Sequence, residues 1–171
     1  MTHVNALIVF YSRYGNAEKL ALAAGVGAIQ ARANIRLRRL ADRVDPKVVQ
    51  ADAAWTEHLD RMNRDYVIPR PADPVWADVI FLATPADSSI EVEHYVSSLG
   101  SIGPMTGKLA APLAVNHSES ALKPIYAAAA WAGLIVAPAW HEPGDAVAVA
   151  RAHGERVSRM ARTLKEMSRS G

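Results

Sequence analysis

Short runs of apolar residues alternate along the chain with longer segments in which apolar residues recur every three or four positions. The first run, from Val4 to Tyr11, is almost entirely apolar and rich in β-forming residues, as expected of a strand buried on both faces. Four further runs have the same character and cover residues 35–40, 79–83, 109–115 and 134–137. The pattern therefore predicts five strands.

The intervening segments predict helices. After the first strand, apolar residues lie at helical spacing from Ala17 to Ala28. After the second strand, one apolar stripe runs from Val48 to Tyr66, and three prolines between positions 69 and 74 end it. Further helices are predicted over residues 90–99, 119–132 and 146–167.

Alternation of all-apolar strands with helices predicts a parallel sheet that is covered by helices on both faces, because each right-handed crossover must return over the sheet. A doubly wound sheet of this kind binds ligands at the carboxyl ends of its strands. Chemistry is therefore expected in the loops after the first, third and fourth strands. Residues 1–171 are expected to form one domain.

Composition narrows the functional classes. With 19 basic and 17 acidic residues, the net charge of +2 gives no electrostatic reason to expect a nucleic-acid partner. The absence of cysteine excludes thiolate catalysis and cysteine-ligated metals, and the six histidines show no metal-ligand spacing. No apolar run reaches the roughly 18 residues of a membrane span, and no basic segment precedes the first strand, so a cytoplasmic location is expected.

The loop after the first strand, from Ser12 to Ala17, combines features of an anion site. It offers a hydroxyl group, a glycine that can take a positive φ, and the free N–H groups of a beginning helix. Such a helix start can hold a phosphate without any basic side chain. The alternative is an ordinary turn in which Ser12 or Asn16 caps the helix, and the residues alone leave both interpretations open.

This segment, Tyr-Ser-Arg-Tyr-Gly-Asn followed by an alanine-rich helix, resembles the phosphate loop of flavodoxin-like proteins, above all the WrbA-type NAD(P)H:quinone oxidoreductases. Residues 83–85 after the third strand, 132–136 before the fifth strand and 150–157 in the last helix also resemble that family. The resemblance covers most of the chain outside about residues 42–72. It implies a flavodoxin-like α/β fold with a five-stranded parallel sheet in the order 2-1-3-4-5.

The resemblance also implies an FMN site that is built from three loops. Its cofactor-binding residues would be Ser12, Arg13, Tyr14, Gly15, Asn16 and Ala17 at the phosphate, Pro85, Ala86, Asp87 and Ser88 beside the isoalloxazine, and Asn116, His117 and Ser118 on the opposite side. The implied activity is two-electron transfer from NAD(P)H to a quinone-like acceptor. Because the flavin carries this chemistry, no catalytic side chain is assigned.

Two of the three loops depart from the family pattern. After Pro85 the family usually continues with Thr-Arg, an aromatic residue and Gly-Asn, whereas this chain has Ala-Asp-Ser-Ser, and Asp87 places a negative charge where a reduced flavin is itself negative. The loop containing Asn116 is shorter than its family counterpart and lacks glycine. FMN binding is therefore expected to be weak or absent. The alternative function is a non-catalytic homologue with a degenerate flavin site that acts as a binding or assembly module.

Three further features have competing interpretations. Trp55 and Trp131 are expected to pack in the core, whereas Trp140 either packs or overhangs a ligand. The basic residues between positions 32 and 43 are expected to form a solvated face. The apolar stripe of the helix over 48–66 either covers the chain's own sheet or supports a homo-oligomer with a shared cleft.

Overall fold

The computed structural model describes residues 2–139 and 144–170, so Trp140, which was expected either to pack or to overhang a ligand, lies outside the described residues. Strands and helices alternate along these two stretches. In chain order they are β1 (Val4–Phe10), α1 (Asn16–Gln30), β2 (Ala33–Arg39), α2 (Pro46–Gln50), α3 (Ala53–Asp65), α4 (Ala72–Trp76), β3 (Val79–Thr84), α5 (Ile90–Ile102), β4 (Leu109–Ala114), α6 (Glu119–Trp131), β5 (Ile135–Val136) and α7 (Ala146–Ser170).

The strands form one parallel sheet in the order β2-β1-β3-β4-β5, which confirms the predicted fold class and strand order. Strand β1 pairs on both sides, and its Val9 lies between Arg38 of β2 and Leu82 of β3. The fifth strand is shorter than predicted and pairs with β4 through two residues only. All five predicted strands are therefore present, in the order that the resemblance implies.

Alternate residues of β1 enter two separate core layers, as the two-residue period of a strand requires. Ile8 and Phe10 pack on the side covered by α1 and α7, whereas Leu7, Val9 and Tyr11 pack on the side covered by α5 and α6. Because both faces are covered, the strand carries no polar side chain on either face of its central part. None of the helices in the described residues is both long and apolar enough to span a membrane.

The prediction of a single helix over residues 48–66 is wrong, because two helices occupy this stretch. Helix α2 ends at Gln50 and α3 begins at Ala53. The carboxylate of Asp52 accepts a hydrogen bond from the Trp55 N–H at 2.9 Å and so caps α3. An N-cap aspartate therefore interrupts a periodicity that otherwise reads as continuous.

The two tryptophans that were predicted to pack in the core have different outcomes. Trp55 is 5% exposed, which confirms its core position, whereas Trp131 is 96% exposed and its predicted core position is wrong. Helix α6 buries Ile125 and Ala129 against the sheet. Trp131 lies two residues beyond Ala129, about 200° further around the helix axis, and so it points away from the sheet.

The prediction that the arginines of β2 form a solvated face is also wrong. The guanidinium of Arg38 donates to both carboxylate oxygens of Asp73, at 2.7 and 3.0 Å, and Arg36 donates to the same carboxylate at 3.0 Å. Asp73 lies in the first turn of α4 and is 1% exposed. Burial acts to raise the pKa of Asp73, but the hydrogen bonds that it accepts outweigh burial and lower it. These ion pairs hold α4 beside the edge strand.

Helices α1 and α7 approach each other so closely that their backbones touch. A Cβ atom on Gly27 of α1 would lie 1.9 Å from the carbonyl oxygen of Arg151, and one on Gly154 of α7 would lie 2.1 Å from the carbonyl oxygen of Ala24. Side-chain carbons do not approach backbone atoms to such distances. Only glycine therefore permits this crossing.

Substitution Gly154→Ala should destabilise the protein by about 2 kcal/mol or more, because overpacked contacts typically cost about 1–3 kcal/mol and here the neighbour is backbone. Gly25→Ala on α1 is the matched control, since its Cβ would meet Ile8 at 3.8 Å, an ordinary contact. The control should be neutral or stabilising by up to about 1 kcal/mol through helix propensity. Chemical denaturation measures both, and equal effects of the two substitutions would contradict the backbone contact.

Candidate functional site

The loop between β1 and α1 is closed by its own side chain and backbone. The Gly15 N–H donates to the Ser12 hydroxyl oxygen at 2.9 Å, and Ser12 is 2% exposed. The first helical bond runs from the Lys19 N–H to the Gly15 carbonyl oxygen at 3.0 Å. The N–H groups of residues 16–18 therefore have no acceptor within the helix and stand at its positive end.

Glycine is required at position 15 for two reasons. Its φ is +94°, in the left-handed region, and a Cβ atom there would lie 2.8 Å from the ring of His58. The imidazole packs directly against the loop, so that a side chain at position 15 would have to displace the His58 ring. The tight turn and its contact with α3 thus depend on the same residue.

A cleft of about 220 Å³ lies at the carboxyl edge of the sheet, where the three predicted loops converge. Nine predicted site residues line it: Ser12, Arg13, Tyr14, Asn16, Ala17, Pro85, Ala86, Asp87 and Asn116. Val115, which sequence reasoning missed, lines it as well, and its position directly before Asn116 was the available signal. The structure therefore brings most of the predicted residues together at one place.

The other predicted residues support the loops instead of lining this cleft. The Thr84 hydroxyl donates to the Ser88 carbonyl oxygen at 2.6 Å and so closes the second loop. The Ser118 hydroxyl donates to the Ala86 carbonyl oxygen at 2.8 Å, which ties the third loop to the second. Gly15 faces α3, as described above. These contacts make the three loops one connected unit.

The third loop is a single 3₁₀ turn, Val115–His117, with an unusual backbone. Asn116 has φ +55° and His117 has φ +50°, both in the left-handed region. Asparagine tolerates this conformation better than most residues, because its short side chain can hydrogen-bond locally. His117 lines a separate cavity of about 20 Å³. Two non-glycine residues of this loop thus hold a backbone conformation that glycine adopts most easily.

The negative charge of Asp87 is balanced by Arg13 across the cleft. The Arg13 Nη1 lies 3.4 Å from the Asp87 Oδ2, and the guanidinium carbon lies 4.9 Å from the centre of the Trp55 ring. The Arg13 Nε also donates to the Tyr11 hydroxyl at 3.4 Å. Because 72% of the Asp87 side chain is exposed, the pair adds little to stability. The pair instead neutralises the charge of Asp87 at the mouth of the cleft.

Sequence reasoning also missed a buried carboxylate beside the cleft. Glu18, in the first turn of α1, is 5% exposed. It accepts hydrogen bonds from Arg61 at 2.5 and 3.0 Å and from the Tyr66 hydroxyl at 2.5 Å, and the His58 Nε2 lies 3.2 Å away. Burial acts to raise the pKa of Glu18, but these contacts outweigh burial and lower it. An acidic residue in a first helical turn was the only local signal.

No protein-family model matches the chain. Two curated relatives are both called NAD(P)H dehydrogenase (quinone). The one from Brucella anthropi is 33% identical over 81 residues, which cover 47% of this chain and 38% of that protein. The one from Deinococcus radiodurans is 28% identical over 110 residues, covering 63% of this chain and 54% of that protein. The matched segments thus span about half or less of the relatives' length.

Solved structures show the same architecture over nearly the whole chain. A diflavin flavoprotein A3 from Nostoc sp. aligns with a TM-score of 0.64 at 11% identity, covering 98% of this chain and 99% of that one. A flavodoxin from the domain Archaea aligns with a TM-score of 0.63 at 15% identity, covering 92% and 98%. The fold is flavodoxin-like. The cleft therefore lies at the strand ends of a flavodoxin-like sheet, as predicted.

Substitution Glu18→Gln should destabilise this flavodoxin-like domain by about 2 kcal/mol at neutral pH, because hydrogen bonds to a charged group contribute about 1.5–3 kcal/mol each and Arg61 loses its buried partner. The pKa of Glu18 is lower in the folded protein than its ordinary 4.5, so the carboxylate's contribution is complete above pH 4.5 and is lost as the pH falls. Wild-type and variant stabilities should therefore converge in acid.

Substitution Asp65→Asn is the matched control, because Asp65 pairs with the same arginine at 3.2 Å but its side chain is 49% exposed. Its effect should stay within about 1 kcal/mol, as for other exposed ion pairs. Urea denaturation at a series of pH values measures both variants. A Glu18→Gln effect that is absent at neutral pH, or the same at every pH, would rule out this role.

Proposed function

We propose that the chain binds FMN and transfers two electrons from NAD(P)H to a quinone-like acceptor. The observation that carries the proposal is the cleft at the N-terminus of α1, lined by all three loops to which the flavodoxin-like resemblance assigns cofactor residues. The curated relatives, named NAD(P)H dehydrogenase (quinone), support this choice of donor and acceptor.

The phosphate half of FMN fits the β1–α1 loop. The N–H groups of residues 16–18 have no acceptor within α1 and stand at its positive end, Gly15 makes the turn with a left-handed φ, and Asn16 and Ala17 line the cleft. The carboxylate of Glu18, one turn away, would repel an anion if it were unpaired. Because Arg61 and His58 contact it on the side of α3, its charge is compensated and the helix dipole stays available to phosphate.

The ring half would lie between the second and third loops, against Ala86 and Asn116. Bound FMN supplies the hydride chemistry, and the chain supplies position, hydrogen bonds and charge. Arg13 is a cation at this end of the cleft, and its charge is shared with Asp87. Its ion pair with Asp87 removes the electrostatic objection that Asp87 raises.

The size of the cleft favours a second candidate function. Its 220 Å³ is below the roughly 300–1,000 Å³ of most small-molecule sites. FMN binding thus requires the ring to remain partly in solvent or the loops to separate, and the second and third loops are tied together by Ser118 and Ala86. The second candidate is a non-catalytic homologue with an incomplete flavin site. It would retain the β1–α1 loop as an anion site and act as a binding or assembly module.

FMN should bind at least tenfold more tightly than riboflavin, because hydrogen bonds to a charged group contribute about 1.5–3 kcal/mol and 1.4 kcal/mol is tenfold in affinity. Substitution Asn16→Asp adds a charge at the phosphate position without changing side-chain size and should remove this preference. Asn34→Asp, an exposed change at the amino end of β2, should leave it intact. Quenching of flavin fluorescence measures each affinity.

Equal affinity of the wild-type protein for FMN and riboflavin would eliminate the phosphate site. Protein saturated with added FMN should then oxidise NADH or NADPH in the presence of a soluble benzoquinone. FMN binding without any such oxidation would contradict the proposed activity and support the second candidate.

Self-association also stays a prediction. The stripe of α3 on which it rests is partly used within the chain, since Trp55 and Met62 are buried there. We expect a dimer or a larger assembly at micromolar concentration, and light scattering measures its mass. A monomer both with and without FMN would rule out the homo-oligomer and the shared cleft.

A further inference from the structure

A second cavity, separate from the loop cleft, lies between the carboxyl end of β2 and helices α2 and α3. Its volume is about 320 Å³, and we call it the α2/α3 cavity. It is built from the part of the chain that lies outside the family resemblance. Its walls are largely apolar and include Val44, Pro46, Val49 and Leu59.

The floor of the α2/α3 cavity carries a buried charge pair. The side chains of Arg39 and Asp42 are only 6% and 10% exposed. The Arg39 Nη2 donates to the Asn63 Oδ1 at 2.6 Å, and its Nη1 donates to the Leu40 carbonyl oxygen at 3.2 Å. Burial lowers the pKa of Arg39, and the nearby Asp42 opposes this effect. The guanidinium is therefore fixed in place.

The two charged side chains face each other without a direct hydrogen bond. Oδ1 of Asp42 accepts from the Tyr11 hydroxyl at 2.9 Å and from the Trp55 Nε1 at 3.2 Å, whereas Oδ2 lies 3.8 Å from the Arg39 Nη1. That distance is too long for a hydrogen bond. The gap therefore suits a ligand that accepts from Arg39 and donates to Asp42.

We propose that the α2/α3 cavity binds a small uncharged ligand whose apolar body carries an N–H group next to a carbonyl, as in a cyclic amide or imide. The carbonyl would accept from Arg39 and the N–H would donate to the Asp42 Oδ2. An anion is disfavoured by Asp42 and by Asp60, which also lines the cavity, and a donor-only cation such as an ammonium group has no atom that accepts from Arg39. This inference goes beyond the proposed function and does not rest on it.

The size of the α2/α3 cavity agrees with such a ligand. Its volume is at the lower end of the roughly 300–1,000 Å³ that small-molecule sites occupy. At about 30 Å³ for each water-sized group, it has room for roughly ten non-hydrogen atoms. A fused or substituted five- or six-membered ring fills that space, with its apolar edge against Val49 and Leu59.

Phthalimide is a suitable probe, because it joins an imide to an apolar ring. N-methylphthalimide is the matched control ligand, since it keeps the ring and both carbonyl groups but loses the N–H donor. The indole N–H resonance of Trp55 and the backbone N–H resonance of Val49 report binding, because the indole donates to Asp42 and Val49 lines this cavity but not the loop cleft. Phthalimide should shift both resonances, and its Kd should be at least tenfold lower than that of N-methylphthalimide.

Two substitutions test the cavity itself. Asp42→Asn leaves an oxygen for Tyr11 and Trp55 but replaces the second acceptor with a donor, so phthalimide affinity should fall at least tenfold. Leu59→Trp should block binding by filling the space. Asp60→Asn is the matched control, because it removes a negative charge without changing the Arg39–Asp42 pair, and it should retain phthalimide binding within about threefold.

The proposal fails if phthalimide and N-methylphthalimide bind equally, or if Leu59→Trp leaves the affinity unchanged. It also fails if the resonances that phthalimide shifts belong to the loop cleft around Asn16 rather than to Trp55. If Asp42→Asn does not fold, the comparison of the two imides on the wild-type protein still decides the outcome. Failure of FMN binding would leave this test unaffected.

Discussion

The backbone contact between α1 and α7 fixes how α1 lies on the sheet, and with it the start of the helix that follows the β1–α1 loop. Because Gly27 and Gly154 carry no side chains, the two helices lie against each other and against the face of the sheet that contains Ile8 and Phe10. The buried alanine and glycine residues of α1 allow the helix to pack closely against that face. The N-terminus of α1 is consequently held at the carboxyl end of β1, where its N–H groups open into the cleft. A wider helix separation would move those donors away from the second and third loops.

The N-terminal end of α1 is also held by charge. Glu18 is buried against α3 by Arg61 and Tyr66, and the ring of His58 lies against Gly15. Helix α3 belongs to the segment outside the sequence resemblance, so the contacts that hold the β1–α1 loop against it could not be predicted from that resemblance. The arrangement also explains how an acidic residue is tolerated in the first turn of a helix that is proposed to bind phosphate.

Much of the fold followed from local patterns. All-apolar strands alternating with helices require a parallel sheet, and parallel strands end at one edge, so convergence of the three loops was foreseeable. Features that arise from distant contacts were not. In the sequence, Arg36 and Arg38 have the pattern of a solvated basic run. Their partner, Asp73 of α4, is more than 30 residues away, so the ion pairs had no local signal. The break before α3 depends on one capping residue, Asp52. It was not predicted because the apolar residues on either side of it continue at helical spacing.

In the candidate site, too, local features were predictable and features that depend on distant contacts were not. Its lining residues were predicted from the resemblance, but the compensation of its charges was not, because each acidic group finds its cation on another element. Asp87 meets Arg13 from the first loop, and Glu18 meets Arg61 from α3. With these carboxylates paired, the uncompensated electrostatic feature of the cleft is the positive end of α1. That is the physical reason for which an anion, rather than a cation or a neutral group, is expected at the first loop.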